Sequence, residues 1–259
     1  MSWNILLIAL IAMVIFQIFG IRMQSKKSSH LTNLINNFND EDKFFELAEQ
    51  TESEEKNNEY LQKCRVIHLW GAAYYSHNDD FKNILDKIDL SALTGKDGSI
   101  SINEDAFFYL YLIIPHFLYT SNHLEQVNLL EDKLKDVNAS NTFIYKLSNE
   151  NKKYYLNEED LGKTFYEDVL EGNYSGYKYS KELIGLYKNI ISSMLLAIYK
   201  KENNTEKYDD LVPSVRDFTK TPLGDRWVKE LELDVTIQEE TAEENEESVD
   251  KEENKEEEK

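Results

Sequence analysis

The stretch LTGKDGSISINED, Leu93 to Asp105, is arranged like the later part of a calcium-binding loop. Such a loop takes oxygen ligands at positions 1, 3 and 5, a turn glycine at 6, an apolar residue at 8 and a bidentate Glu at 12. With Gly98 at position 6, Asp97, Ile100 and Glu104 fall at 5, 8 and 12, but Leu93 and Gly95 occupy 1 and 3. Asp97, the Ser99 carbonyl and Glu104 are too few oxygens for an ion that takes six to eight. The expectation is a chain reversal allowed by Gly95 and Gly98, with Asn103 capping the helix that follows, and no metal.

The other chemical patterns also stop short. In GNYSG, Gly172 to Gly176, Ser175 is fourth where a nucleophile elbow needs it third, and no strand leads into it. TGKDG, Thr94 to Gly98, lacks the glycine spacing and the hydroxyl after Lys96 that cradle a phosphate. Cys64 and His68 stand four apart on one predicted helix, half of a metal or thiolate site without a second half, and read as a packed thiol and a core imidazole. His116 and His123 lack the H-E-x-x-H spacing. No catalytic residue and no cofactor is expected.

The elements that carry these residues read as helices almost throughout. In KELIGLYKNIISSMLLAIYK, Leu183, Leu186, Tyr187, Ile190, Ile191, Met194, Leu195 and Ile198 recur at three and four, which places them on one stripe. DDFKNILDKID repeats the pattern behind Asn78 as N-cap, and NEEDLGKTFYEDVL behind Asn157. FFYLYLIIPHFLY, Phe107 to Tyr119, is apolar on every side; too short to span a bilayer, it is predicted to be the central buried helix, kinked at Pro115. Further helices are predicted over Lys43 to Gln50, Tyr60 to Tyr75, Leu124 to Leu134 and Pro222 to Leu231, the last capped by Thr221. Strand signals reduce to Ile100 to Ile102 and DVTIQ, so the fold class is all-α.

The two ends differ from this body. Trp3 to Ile21 is an uncharged apolar run of 19 residues, long enough at 1.5 Å per residue to cross a hydrocarbon core of about 30 Å. It has no basic region before it and no small-residue cleavage site after it, which favours a retained anchor over a signal peptide. Arg22, Lys26 and Lys27 follow at once and place the remainder on the cytoplasmic side. From Glu239 onward 12 acidic residues stand against 3 Lys, a composition that cannot build a core. The divisions are an anchor at 1–22, a juxtamembrane linker at 23–39, a helical body at 40–232 and a disordered acidic tail at 233–259. Residues 1–238 carry 26 basic and 37 acidic side chains, which disfavours nucleic acid as a partner.

LWGAAYYSHNDDFKNILDKI resembles a tetratricopeptide-type helical repeat: Gly71 and Tyr74 keep the G-x-x-Y spacing, and Asn78 holds the turn position usually taken by Gly. A second copy runs through FLYTSNHLEQVNLLEDKL, with Tyr119 and Asn122 at an offset of 44 from Tyr75 and Asn78, and a third through AIYKKENNTEKYDDL at Tyr199. The resemblance implies stacked antiparallel hairpins forming a curved array that binds a peptide or a partner helix. With 16 Tyr and 12 Phe, aromatic clusters at Tyr154, Tyr155, Tyr174, Tyr177 and Tyr179 are the candidate partner-binding residues. The function expected is a scaffold tethered to the cell membrane through Trp3 to Ile21, presenting its body to the cytoplasm and binding protein partners. The alternatives are an outward-facing anchored domain with an extracellular or envelope partner, and an enzyme whose site is assembled from scattered Glu, Tyr and His.

Overall fold

A computed structural model describes residues 29–100, 105–173 and 176–235. Asn103, Glu104, Tyr174, the candidate span Trp3 to Ile21 and the acidic stretch from Glu239 lie outside these residues.

Among the described residues the chain is all-helical. Its helices are α1 (Ser29–Asn36), α2 (Glu41–Glu54), α3 (Asn58–Tyr74), α4 (Asn78–Lys87), α5 (105–120), α6 (Leu124–Leu134), α7 (Phe143–Tyr155), α8 (Lys163–Leu170), α9 (Ile184–Lys201), α10 (Thr205–Leu211), α11 (Arg216–Thr219) and α12 (Pro222–Glu230). Among the described residues no helix is long and apolar enough to cross a membrane. Residues 29–36, expected as linker, instead form α1, which packs on α2 and α3 with Leu34 buried. Phe38, just beyond it, stacks on Trp70 with ring centres 3.7 Å apart.

The hairpins have one recurrent device. Helices α3, α5, α7 and α9 each end on a left-handed residue, Ser76, Asn122, Asn157 and Asn203, with φ of 62°, 59°, 55° and 56°. The next amide reaches back five residues in each case: His77 N–H to the Ala72 carbonyl at 2.8 Å, His123 to Leu118 at 2.7 Å, Glu158 to Lys153 at 2.9 Å and Asn204 to Tyr199 at 2.9 Å. These are Schellman caps, which satisfy carbonyls that the helix end leaves free; Asn is the commonest choice after Gly because it tolerates this conformation.

That geometry corrects three readings. Asn157 terminates α7 rather than capping a helix after it. Asn78 is the first residue of α4, and His77 holds the N-cap position. The equivalent turns are Ser76 and Asn122, 46 residues apart, two residues off the alignment that paired Asn78 with Asn122.

Each capped helix is followed by a shorter one, giving the successive pairs α3/α4, α5/α6, α7/α8 and α9/α10. The first helices pack in order, α3 on α5, α5 on α7 and α7 on α9, while α4 packs on α6. Arg65 joins the early elements by forking onto Glu52 at 2.7 and 2.8 Å and donating to the Lys87 carbonyl at 2.7 Å.

Helix α5 is the buried centre, as its composition predicts, and its regular ladder is interrupted just before Pro115. Asp105–Phe108 and Ile114–Thr120 are α-helical, and Tyr109–Ile113 between them is a π turn in which Ile114 N–H donates to the Tyr109 carbonyl. Pro115 has no N–H to return to the ladder and its ring crowds the preceding turn; widening that turn by one residue accommodates both.

The loop from Leu93 behaves as a reversal. Gly98 has φ +73°, Gly95 N–H donates to the Ser99 carbonyl at 2.8 Å, and Asp97 accepts from the Ser99 amide at 3.1 Å and the Ser99 hydroxyl at 2.6 Å. Ile100 makes only an isolated bridge to Thr94.

Two imidazoles, half-buried His68 and fully buried His116, shape the acid response. Burial lowers His68 from 6.5 to about 4, and it lowers the fully buried His116 well below 6.5. Between pH 6.5 and about 4 the unfolded chain binds protons that the native chain refuses. Stability therefore falls as pH falls, by about 1.4 kcal/mol per pH unit for each such histidine. Urea midpoints measured at pH 7, 6 and 5 should decline stepwise, and His68→Gln should remove about half of the slope; a flat profile would contradict the burial of these rings.

Candidate functional site

A cleft of about 410 Å³ lies between α5, α6 and α7, within the size range of ligand and peptide-anchor sites. It forms where the α5/α6 pair meets the first helix of the next pair. The π turn of α5 and Pro115 supply one wall, and the widened turn aims Tyr111 into it.

Four tyrosines line the cleft: Tyr111, Tyr119, Tyr145 and Tyr155. Tyr111 and Tyr145 meet edge to face at 5.8 Å. Tyr119 and Tyr155 stack at 4.8 Å and 9°. Glu131 of α6 and Lys152 of α7 are bridged at 2.6 Å, and the Tyr119 hydroxyl donates to the same Glu131 oxygen at 3.3 Å. Behind this wall the Tyr155 hydroxyl lies 2.7 Å from His116 Nδ1, and His116 stacks on Trp227 of α12 at 3.5 Å and 8°.

The electrostatics favour neutral forms. Burial raises the Tyr111 and Tyr119 phenols, helped by Tyr145 and by Glu131 respectively. Burial raises Tyr155 well above 10 and depresses His116. The wall thus offers uncharged hydrogen-bonding groups and apolar surface, without a phenolate or an imidazolium at neutral pH.

Of the candidate residues, Tyr155 lines the cleft. Tyr154 turns elsewhere, beneath the Lys201 ammonium at 3.9 Å from its ring centre. Tyr177 packs edge-on against Phe143 at 6.4 Å, and Tyr179 is half-buried against the core. Tyr174 lies outside the described residues. Tyr111 and Tyr145 were not singled out by sequence reasoning, and Tyr119 only as a repeat position; the available signal was Pro115, four residues after Tyr111 and four before Tyr119, which disturbs the helix between them.

Cys64 and His68 share one small hollow with Glu52 and Arg65. Cys64 is buried, its thiol pushed up to about 12 by burial and by Glu55 and Glu52. Among the described residues no group of three His, Cys, Asp or Glu is placed to hold a metal ion. A shallower hollow of about 400 Å³ beside α8 and α10 has polar groups that satisfy one another: Tyr199 Oη and Lys207 Nζ both donate to Glu167, at 2.9 and 3.0 Å. Compared with protein-family models, curated proteins and solved structures, the chain finds no match.

Proposed function

We propose that this chain is a membrane-tethered interaction module, a tetratricopeptide-like array of helical hairpins that receives a segment of a partner protein in the cleft between α5, α6 and α7. The observation that carries the reading is the tyrosine-lined cleft at the junction of two successive hairpins. Tyrosine buries a large apolar body while its hydroxyl can still hydrogen-bond, the property that recurs at protein interfaces. The order of packing, first helix on first helix, supports the array. The length and composition of Trp3 to Ile21 support the tether, and Arg22, Lys26 and Lys27 support a cytoplasmic body.

A second reading, a catalyst, has one observation in its favour: the cleft gathers Glu131 and four tyrosines with His116 behind them. Against it, burial holds the phenols and the imidazole in their neutral forms, far from the poise a general acid or base needs.

A photo-crosslinking residue at Ser148, in the cleft wall, tests the docking role in intact cells against a control at exposed Lys220. A polypeptide captured from position 148 and not from 220 is expected; identical patterns from both positions would discard the reading. Protease added outside intact cells should leave the acidic tail uncut, and its removal would favour the outward-facing alternative.

A further inference from the structure

The second helices of the successive pairs do not all close on one another. Helix α4 packs on α6, but α8 and α10 are not joined in the same way; both pack on α9 and leave a hollow of about 400 Å³ between them. Leu195 and Tyr199, one turn apart on α9, form its floor, and Leu170 of α8 and Leu211 of α10 form its walls. The two wall leucines are half-buried, so apolar surface that a packed pair of helices would cover stays open to solvent.

The charge of this lining is negative: Glu167, Glu171 and Asp210 stand against Lys207. Glu167 and Lys207 are engaged with each other at 3.0 Å, and the Tyr199 hydroxyl donates to the same carboxylate at 2.9 Å. Glu171 and Asp210 have no ion pair among the described residues. Each stands at the C-terminal end of its helix, Glu171 as the C-cap of α8 and Asp210 in the last turn of α10. The helix dipole disfavours an anion there, and neither helix has a basic residue in its last turn. Two carboxylates that do not serve their own helices thus border an apolar hollow.

The hollow already holds one cation in a way that shows what fits it. Lys207 Nζ lies 5.3 Å from the centre of the Tyr199 ring while its ammonium meets Glu167. A Lys or Arg brought from outside can lay its aliphatic stem against Leu170 and Leu211 and carry its cation to a rim carboxylate, as long basic side chains do at apolar surfaces. Occupants of the other sign are repelled, an anionic lipid surface among them. The chain's own acidic stretch begins four residues beyond Val235, within about 14 Å along an extended chain, and Val235 and Leu211 pack on the same small core cluster. With 12 acidic residues against 3 Lys, that stretch is repelled as an occupant; it adds to the field around the hollow and speeds the encounter with a basic partner.

We infer that the hollow between α8 and α10 binds a basic segment of a partner protein: the stem of one Lys or Arg lies between Leu170 and Leu211, and its cation pairs with Glu171 or Asp210. This surface is separate from the cleft between α5, α6 and α7, and neither depends on the other. Exposed ion pairs contribute little singly, so binding is modest, weakens with salt, and depends on the buried stem as much as on the charge.

The test titrates the full chain, in phosphatidylcholine nanodiscs at low salt, into an Ala-Lys-Ala-Lys-Ala amide peptide carrying an uncharged fluorophore, and reads anisotropy. A saturable rise is expected, and the same peptide with Glu in place of Lys should give none. Replacing Lys by 2,4-diaminobutyric acid keeps the ammonium on a stem two methylenes shorter and should weaken binding about 3-fold or more. Joint Glu171→Gln and Asp210→Asn should weaken the Lys peptide about 2- to 20-fold, with a urea midpoint equal to the parent's or slightly above it. No saturable rise, binding of the Glu peptide, or a lowered midpoint in the double variant would each overturn the inference. Equal affinity for the short-stemmed peptide, or full affinity in the double variant, would overturn it by assigning the peptide to the acidic tail. A halving of the detergent-solubilised particle's mass when the peptide binds would overturn it by giving the hollow to a second copy of the chain.

Discussion

Trp227→Ala is expected to lower the free energy of unfolding by about 3–5 kcal/mol, the range for deleting a large buried aromatic ring. Trp227 heads the ranking of fully buried side chains by volume. It is also the contact through which α12, the last described helix, grips the centre of the fold: its indole lies flat on His116 at 3.5 Å and meets Phe117 edge-on at 6.5 Å. His116 in turn orients the Tyr155 hydroxyl at the back of the cleft. Loss of the indole should therefore free α12 for proteolysis at Arg226 and Lys229 before the rest of the body opens, besides lowering the urea midpoint. Trp227→Phe separates two contributions. The indole N–H is buried without a hydrogen-bond partner, a cost of about 1–3 kcal/mol that phenylalanine avoids. The Phe variant should lose less than half of what the Ala variant loses. Equal losses would mean that the N–H is satisfied and that its bond, rather than the ring's area, holds the helix.

Much of the architecture is legible in the residues, and the failures have physical causes. Leu124–Leu134 is read to the residue, because its apolar spacing is regular and polar residues bound it. The start of α12 is legible for a different reason: Thr221 accepts from Gly224 N–H at 3.0 Å with Pro222 in the first turn, an arrangement that few other conformations satisfy. Asn157 misleads because asparagine serves both as an N-cap and as a left-handed C-terminal residue, and the side chain alone does not say which helix it belongs to; Asn78 misleads because α4 begins one residue earlier than its capping type suggests, with His77 at the N-cap position. Only the tertiary position of the neighbouring helix decides. Tyr111 and Tyr119 are hidden for another reason: where every face of a helix is apolar, periodicity carries no direction, and the π turn rotates the residues after it further. Tyr155 is accessible to sequence reasoning as half of an adjacent tyrosine pair, although α7, the helix it ends, is not foreseen. The G-x-x-Y spacing at Gly71 marks a close approach of helices, and that approach is testable.

Gly71→Ala and Gly224→Ala are both expected to destabilise, against the usual gain of about 1 kcal/mol for Gly to Ala inside a helix. A Cβ on Gly71 would lie 2.1 Å from Cε1 of Phe44, a ring with no solvent exposure and so with nowhere open to move. A Cβ on Gly224 would lie 2.0 Å from the Phe218 carbonyl oxygen. That oxygen is pinned by the Thr221 amide at 2.9 Å and the Thr221 hydroxyl at 2.7 Å. Overpacking of this kind costs about 1–3 kcal/mol where the neighbour can adjust, and more where it cannot. Gly71→Ala should fall within that range and Gly224→Ala at or above its upper end. The obstructing atoms predict different rescues. Adding Phe44→Leu to Gly71→Ala removes the colliding edge, so the double variant should be more stable than the sum of the single effects by about 1 kcal/mol or more. Adding Phe218→Leu to Gly224→Ala leaves the carbonyl oxygen where it was, and the losses should add with little relief. Denaturant midpoints for the two cycles give the comparison directly. A neutral Gly224→Ala, or a rescue by Phe218→Leu as large as that by Phe44→Leu, would mean that α11 and α12 are not locked together by their backbones and that the C-terminal helix is held by Trp227 alone.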